Sequence, residues 1–91
     1  MNRHDAYSIL ADTLGTYRGL APADLVALVG RRSSDRVASA VGEEFLLDIV
    51  VEWVGEPGKA IRVRATVDSP SCFRLGRVED EVVIRVDIGR R

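Results

Sequence analysis

Cysteine is nearly absent from this sequence. Cys72 is the only one in 91 residues, so no disulfide can form within the chain. Disulfides accumulate in secreted proteins and are rare in the cytosol. The cysteine content therefore agrees with a reducing compartment.

Long apolar runs are also missing. The most hydrophobic stretch, Phe45 to Val54, is interrupted by Asp48 and Glu52, whereas a membrane-spanning helix needs about 20 apolar residues. The first five residues lead into an amphipathic segment rather than the apolar core of a signal peptide. We therefore expect a cytoplasmic protein with no membrane partner.

The residue types that carry most catalysis and metal binding are scarce. His4 is the only histidine, and it falls in the first turn of a predicted helix, while Cys72 falls on an outward strand position. A nucleophilic pair would need the two side chains in contact. Neither zinc-ligand spacing nor a glycine-rich phosphate loop occurs, and the acidic run at 79–81 reads as a solvated loop. We expect no enzyme, no cofactor and no metal.

An excess of positive charge is lacking too. The formal net charge is −1, with five arginines against four aspartates in the first 42 residues and eight basic against ten acidic residues in the rest. Tight binding to nucleic acid depends on neutralising phosphates with basic side chains. Nucleic acid is therefore not expected as a partner.

The N-terminal third has the periodicity of two short helices. Residues 4–18 have an apolar stripe at a period of 3.6 residues, which predicts a helix that continues to Gly19. Pro22 suits the first turn of a second helix, which Gly30 ends. The stripe of the first helix consists of Ala6, Ile9, Leu10, Leu14 and Tyr17.

Residues 31–42 read as a polar connector. It contains three arginines, Arg31, Arg32 and Arg36. The connector ends in small residues, and the sequence leaves open whether 37–41 form an edge strand.

From Glu43 onward the apolar period changes to two, which predicts antiparallel strands. Residues 76–80 read as a loop before the last strand. The inward apolar positions are Phe45, Leu47, Ile49, Val51 and Trp53; Ile61, Val63, Ala65 and Val67; Phe73 and Leu75; and Val82, Ile84, Val86 and Ile88.

The first hairpin has two possible registers. Pairing Val54 with Ala60 places Glu52 opposite Arg62, whereas a shift of two residues places Asp48 opposite Arg64. The sequence does not decide between them. Together the patterns predict one α+β domain over 1–91, with two N-terminal helices packed on one face of a three- or four-stranded antiparallel meander sheet.

Three segments resemble a family of small uncharacterised bacterial proteins: Tyr17 to Gly30, Glu44 to Trp53, and Ile61 to Asp68. The last two are similar to a Tyr-x-Ile-x-Ile-x-Val-x-Trp strand and to the Ile-Arg-Val-x-Gly-x-Ile-Asp strand that follows it in the family. The family's acidic pair after the tryptophan is replaced here by Val54 and Gly55. The resemblance implies the architecture and no known activity.

Two sets of residues on the predicted outer sheet face suggest a function. Arg62, Arg64 and Arg74, with Arg85 beside them, can align as a stripe that would bind a polyanion weakly, although Asp48, Glu52 and Asp68 share that face. Leu46, Val50, Val54 and Val83 are apolar positions on the same face and suggest an interface.

These residues lead to two functional hypotheses. The first hypothesis is a non-enzymatic protein-interaction or regulatory module, expected to be a homodimer or to bind an unidentified protein. The alternative is weak binding of nucleic acid or another polyanion.

Overall fold

Two helices come before four strands along the chain. The structure is a computed structural model that describes residues 3–38, 42, 44–68 and 77–86, with Arg3 described by its backbone alone. The elements are α1 (Arg3–Arg18), α2 (Pro22–Leu28), β1 (Arg32–Ala38), β2 (Glu44–Trp53), β3 (Ala60–Asp68) and β4 (Arg77–Arg85). The strands form one antiparallel sheet in the order β1-β2-β3-β4. This is the predicted α+β architecture.

Helix α1 covers the sheet with the predicted stripe. Ala6, Leu10 and Leu14 follow one another at intervals of four and are all buried, because residues four apart lie on the same face of a helix. The helix packs on β3 and β4. Its last carbonyls are satisfied by Gly19, whose N–H donates to the carbonyls of Gly15 and Thr16 at 3.2 Å.

Helix α2 passes directly into the sheet through Gly30. This glycine has φ 87°, a left-handed conformation that glycine adopts without steric cost. Its N–H donates to the carbonyl of Val51 at 2.9 Å, and the N–H of Val51 donates to the carbonyl of Arg31 at 3.4 Å. Gly30 and Arg31 thus both lie opposite Val51. Two residues opposite one, with a left-handed glycine in the first position, form a G1 β-bulge. The bulge ends the α2 turn and starts β1.

The prediction of a polar connector over 31–42 is wrong for most of its length. Residues 32–38 form β1 and pair with β2 from Arg32 opposite Val50 to Ala38 opposite Glu44. All of β1 except the half-buried Val37 is exposed, so neither face needs apolar residues and no alternation marks the strand. Residues 39–41 lie outside the described part of the chain.

The prediction of a loop at 76–80 is also wrong, because β4 begins at Arg77. Val78 is buried on the inner side of the sheet. The next inner position is Asp80, opposite Ala65, and this exposed aspartate hid the alternation. Val82 and Val86 are buried as predicted, whereas 69–76 and 87–91, with the predicted inward Phe73, Leu75 and Ile88, lie outside the described residues.

The structure selects the first of the two hairpin registers. Trp53 lies opposite Ile61, and Glu52 lies opposite Arg62. The N–H of Val54 donates to the carbonyl of Ala60 at 2.9 Å and closes the ladder beside the turn. Both inner rows of the hairpin therefore belong to one core together with the buried residues of α1. The buried residues of the sheet are Phe45, Leu47, Ile49, Val51, Ile61, Val63, Ala65, Val67, Val78 and Val82, and Val86 after β4 and Leu25 of α2 join them.

Two glycines give a matched test of these backbone assignments. A Cβ added at Gly15 or at Gly30 would meet no atom within 4 Å, but only Gly30 has a positive φ. We expect Gly15→Ala to raise the free energy of unfolding by about 0.5–1 kcal/mol, because alanine restricts the unfolded chain and favours the helix. Gly30→Ala should lower it by about 1–2 kcal/mol, the cost of the left-handed conformation. Urea denaturation measures both, and equal effects would contradict the bulge.

Candidate interaction surface

One face of the sheet is left uncovered by the helices of the described chain. We call it the outer face, formed by the even-numbered residues of β1, β2 and β3 and the odd-numbered residues of β4. Its side chains are half-buried or exposed, whereas those of the inner face are mostly buried along β2 and β3. All the residues that the sequence suggested for function, where described, lie here.

The two described arginines of the predicted stripe, Arg62 and Arg64, form ion pairs with carboxylates. Glu52 Oε2 accepts from Arg62 Nη1 at 3.0 Å and from Arg64 Nη2 at 2.9 Å. The three residues meet because Glu52 and Arg62 are directly opposed across β2 and β3 and Arg64 is two residues along on the same face. A single carboxylate thus holds both guanidinium groups.

Strand β4 supplies further negative charge to the same pair. Arg64 Nε lies 3.6 Å from Glu79 Oε2 and 3.7 Å from Glu81 Oε1, and Arg62 Nε lies 3.9 Å from Glu81 Oε2. Two arginines are therefore surrounded by three glutamates. We call these five residues the ion-pair network, and its formal charge is negative rather than positive. Arg74, the third residue of the predicted stripe, lies outside the described residues.

The apolar residues of the outer face do not form one patch. Leu46, Val50 and Val54 are half-buried on β2, and the acidic residues Asp48 and Glu52 separate them. Val83 is 51% exposed and lies opposite Arg62 on the neighbouring strand. The predicted interface residues are thus placed on the uncovered face, but charged side chains divide them.

Strand β1 has a free backbone edge. In an antiparallel ladder the N–H and C=O of successive residues point alternately to the two sides of the strand. The carbonyl of Arg31 accepts from the N–H of Val51 in β2. The backbone groups of the odd-numbered residues of β1 therefore point to β2. The backbone groups of Arg32, Ser34 and Arg36 therefore point away from the sheet, and no described strand pairs with them.

Three charged side chains near this edge have no ion-pair partner within the described chain. Arg36 contacts Glu44 at 3.5 Å, and the Ser34 hydroxyl donates to the Asp48 carboxylate. Arg31, Arg32 and Asp35, by contrast, are exposed and make no ion pair with any described residue. These three charges are available to a molecule that approaches the edge.

A cleft of about 270 Å³ opens on the inner side, where the C-terminal ends of both helices meet the start of β1. Its lining combines buried apolar residues of β2 with exposed polar residues from the start of β1. The lining residues are Tyr17, Leu28, Arg31, Arg32, Ser33, Ile49 and Val51.

Neither a metal centre nor a membrane span is found within residues 3–38, 42, 44–68 and 77–86. No group of three or more histidine, cysteine, aspartate or glutamate side chains among them is placed to hold a metal ion. No helix there is long and apolar enough to cross a membrane.

Sequence reasoning found the outer face and missed the β1 edge. The outer face is visible because β2 and β3 alternate in polarity along their length. The edge is not, because β1 is polar on both faces. The sequence signal for the β1 edge is Gly30. A glycine after a short helix can end the helix, but it can also be the first residue of a bulge that starts a strand.

Comparisons with protein-family models, with curated proteins and with solved structures found no match to this chain. The resemblance to a family of small bacterial proteins therefore stays a prediction from the three sequence segments that carry it.

The ion-pair network predicts a difference between two glutamates. Glu52→Gln should lower the free energy of unfolding by about 1 kcal/mol, because it removes the charge that two half-buried arginines share. Glu44→Gln is the matched control and should cost no more than about 0.3 kcal/mol, since its one partner is highly exposed. Urea denaturation at low salt measures both, and the difference should shrink in about 1 M NaCl. Equal losses would show that Glu52 contributes no more than an ordinary surface pair.

Proposed function

We propose that this chain is a non-enzymatic protein-interaction module that self-associates through the part of its sheet that the helices leave free. The free backbone edge of β1 carries the proposal. The even-numbered residues of that edge direct N–H and C=O groups to a side where no described strand pairs with them, and the strand is exposed almost throughout. Such an edge is a template for pairing with another chain.

The charges around the edge support a specific partner over indiscriminate pairing. Charged side chains on edge strands prevent aggregation, because like charges oppose each other in most registers. Arg31, Arg32 and Asp35 carry both signs without partners of their own. A partner with the complementary arrangement would satisfy them, and a second copy of the chain carries both signs.

The outer face is the second part of the proposed surface. Leu46, Val50, Val54 and Val83 lie on it, and Val83 is exposed enough to contact another molecule. Because the ion-pair network separates these residues, we assign them a supporting role beside the β1 edge.

The same network argues against the polyanion alternative. A phosphate that approached Arg62 or Arg64 would have to displace Glu52 and would meet Glu79 and Glu81 nearby. Such surfaces also place aromatic side chains beside the cations to stack on bases, and no described position of the outer face is aromatic. The charges and the side-chain types of the outer face therefore do not suit nucleic-acid binding.

A cytoplasmic location belongs to the proposal. It is supported by the single cysteine, Cys72, since a domain of this size in an oxidising compartment commonly depends on disulfides. The proposed module would meet its second copy in that compartment.

Self-association predicts a molecular mass that rises with concentration. Sedimentation equilibrium from about 10 µM to about 1 mM should show a reversible monomer–dimer equilibrium, which is weak because a strand edge buries less area than a standard interface. The mass should fall towards that of the 10.0 kDa chain on dilution. A monomer of constant mass over this whole range would contradict the proposal.

A further inference from the structure

We propose that two copies of this chain join their β1 edges antiparallel about a twofold axis at Ser33, with Arg31 of each copy opposite Asp35 of the other. The result is a continuous sheet that runs through both copies. This inference rests on the proposed self-association and adds the strand, the register and the residues that specify it.

The direction and parity of the pairing follow from the sheet. A twofold axis perpendicular to the sheet makes the two β1 strands antiparallel and keeps the helices of both copies on the same side. Opposed side chains then lie on the same face, so inner residues must oppose inner residues. Only registers that pair odd with odd and even with even positions satisfy this requirement.

Backbone hydrogen bonding suits an axis at Ser33. With this axis Arg32 of one copy opposes Ser34 of the other, and both residues direct N–H and C=O groups outward from their own sheet. Each such pair can exchange both N–H···O bonds. Ser33 opposes its own equivalent as a non-hydrogen-bonded pair, in which side chains approach most closely.

Charge decides among the registers that share this geometry. An axis at Ser34 would place Arg32 of each copy opposite Arg36 of the other, and an axis at Asp35 would place the two Asp35 carboxylates opposite each other. Like charges directly opposed on adjacent strands are destabilising. An axis at Ser33 instead places Arg31 opposite Asp35 twice, once on each side of the axis.

The charges that would pair are those left without partners in one copy. Arg31 and Asp35 are exposed and make no ion pair in the described chain. On the outer face the same register brings Arg32 beside Ser34 of the second copy, whose hydroxyl already bonds Asp48. The long arginine side chain can then reach that carboxylate.

Charge reversal at the two inner positions tests the register. Arg31→Asp alone places aspartate opposite aspartate twice, and Asp35→Arg alone places arginine opposite arginine twice. Each should weaken dimerisation roughly tenfold or more in sedimentation equilibrium at low salt. The double variant restores opposite charges and should dimerise about as well as the unaltered chain. An equimolar mixture of the two single variants should form the heterodimer, because each then faces its complement.

Cysteine cross-linking is an independent test of the axis. In a Cys72→Ser background the introduced cysteine is the only thiol. Ser33→Cys should form an intermolecular disulfide on mild oxidation, because residues of a non-hydrogen-bonded pair have Cα atoms about 4.5 Å apart, within disulfide range. Ser34→Cys is the matched control and should cross-link far less, since its proposed neighbour is Arg32.

Val83→Glu on the outer face separates this inference from the broader proposal. The substitution adds a carboxylate opposite Arg62. It should change the dimerisation constant far less than either inner charge reversal, because β4 lies at the opposite edge of the sheet from β1. Circular dichroism of each variant verifies that the fold is intact.

The outcomes distinguish the two proposals. If the unaltered chain dimerises but Val83→Glu dissociates it while both inner charge reversals have no effect, the β1 register is overturned and self-association stands. If the unaltered chain stays monomeric and Ser33→Cys cross-links no better than Ser34→Cys, both fail. Preferential cross-linking through Ser34 would place the axis there and contradict the register.

Discussion

The pairing of β2 with β3 sets the position of every other element of the structure. Their odd-numbered residues form two adjacent apolar rows, from Phe45 to Val51 and from Ile61 to Val67, and nearly all of these side chains are buried. Since the side-chain period of a strand is two, only registers of the same parity bring both rows to the inner side of the sheet, and the observed register is one of these. A slip of β3 by one residue would bury Arg62 and Arg64 and expose Ile61 and Val63. Strands β1 and β4 pair with the two sides of this hairpin, whose inner face is apolar and whose outer face is largely charged.

The same register creates the chemistry of the outer face. Once Val51 and Val63 are opposed on the inner side, Glu52 and Arg62 must be opposed on the outer side. The carboxylate then lies within reach of Arg64 as well, and β4 adds Glu79 and Glu81. The arginines are therefore occupied by intramolecular partners. At the β1 edge, charges and backbone groups that have no partner among the described residues occur together, and both are available to another molecule.

The order of helices and strands, the central hairpin and the polarity of its two faces could all be predicted from the sequence. They depend on local periodicity, which α1, β2 and β3 each repeat over several turns or several residue pairs. Strand β1 could not be predicted this way, because an edge strand exposed on both faces needs no apolar alternation. The start of β4 was hidden by Asp80, an exposed charge at an inner position. Strand β1 is held mainly by backbone pairing with β2, and the first four residues of β4 by backbone pairing with β3 and the single buried side chain of Val78. Neither gives a repeated side-chain pattern.

The features of the candidate site also divide into those that the sequence predicts and those that only the tertiary structure shows. The sequence by itself determined that Arg62, Arg64, Leu46, Val50 and Val83 share a face, because parity within a strand and matching of apolar rows require it. Only the tertiary structure decided the hairpin register, the contacts that neutralise Arg62 and Arg64, and the existence of a free edge at Arg32 to Ala38. The physical reason is that ion pairs and strand edges depend on which strands are neighbours and at what offset. That choice is made by the burial of the whole core under α1 rather than by any short segment of the chain.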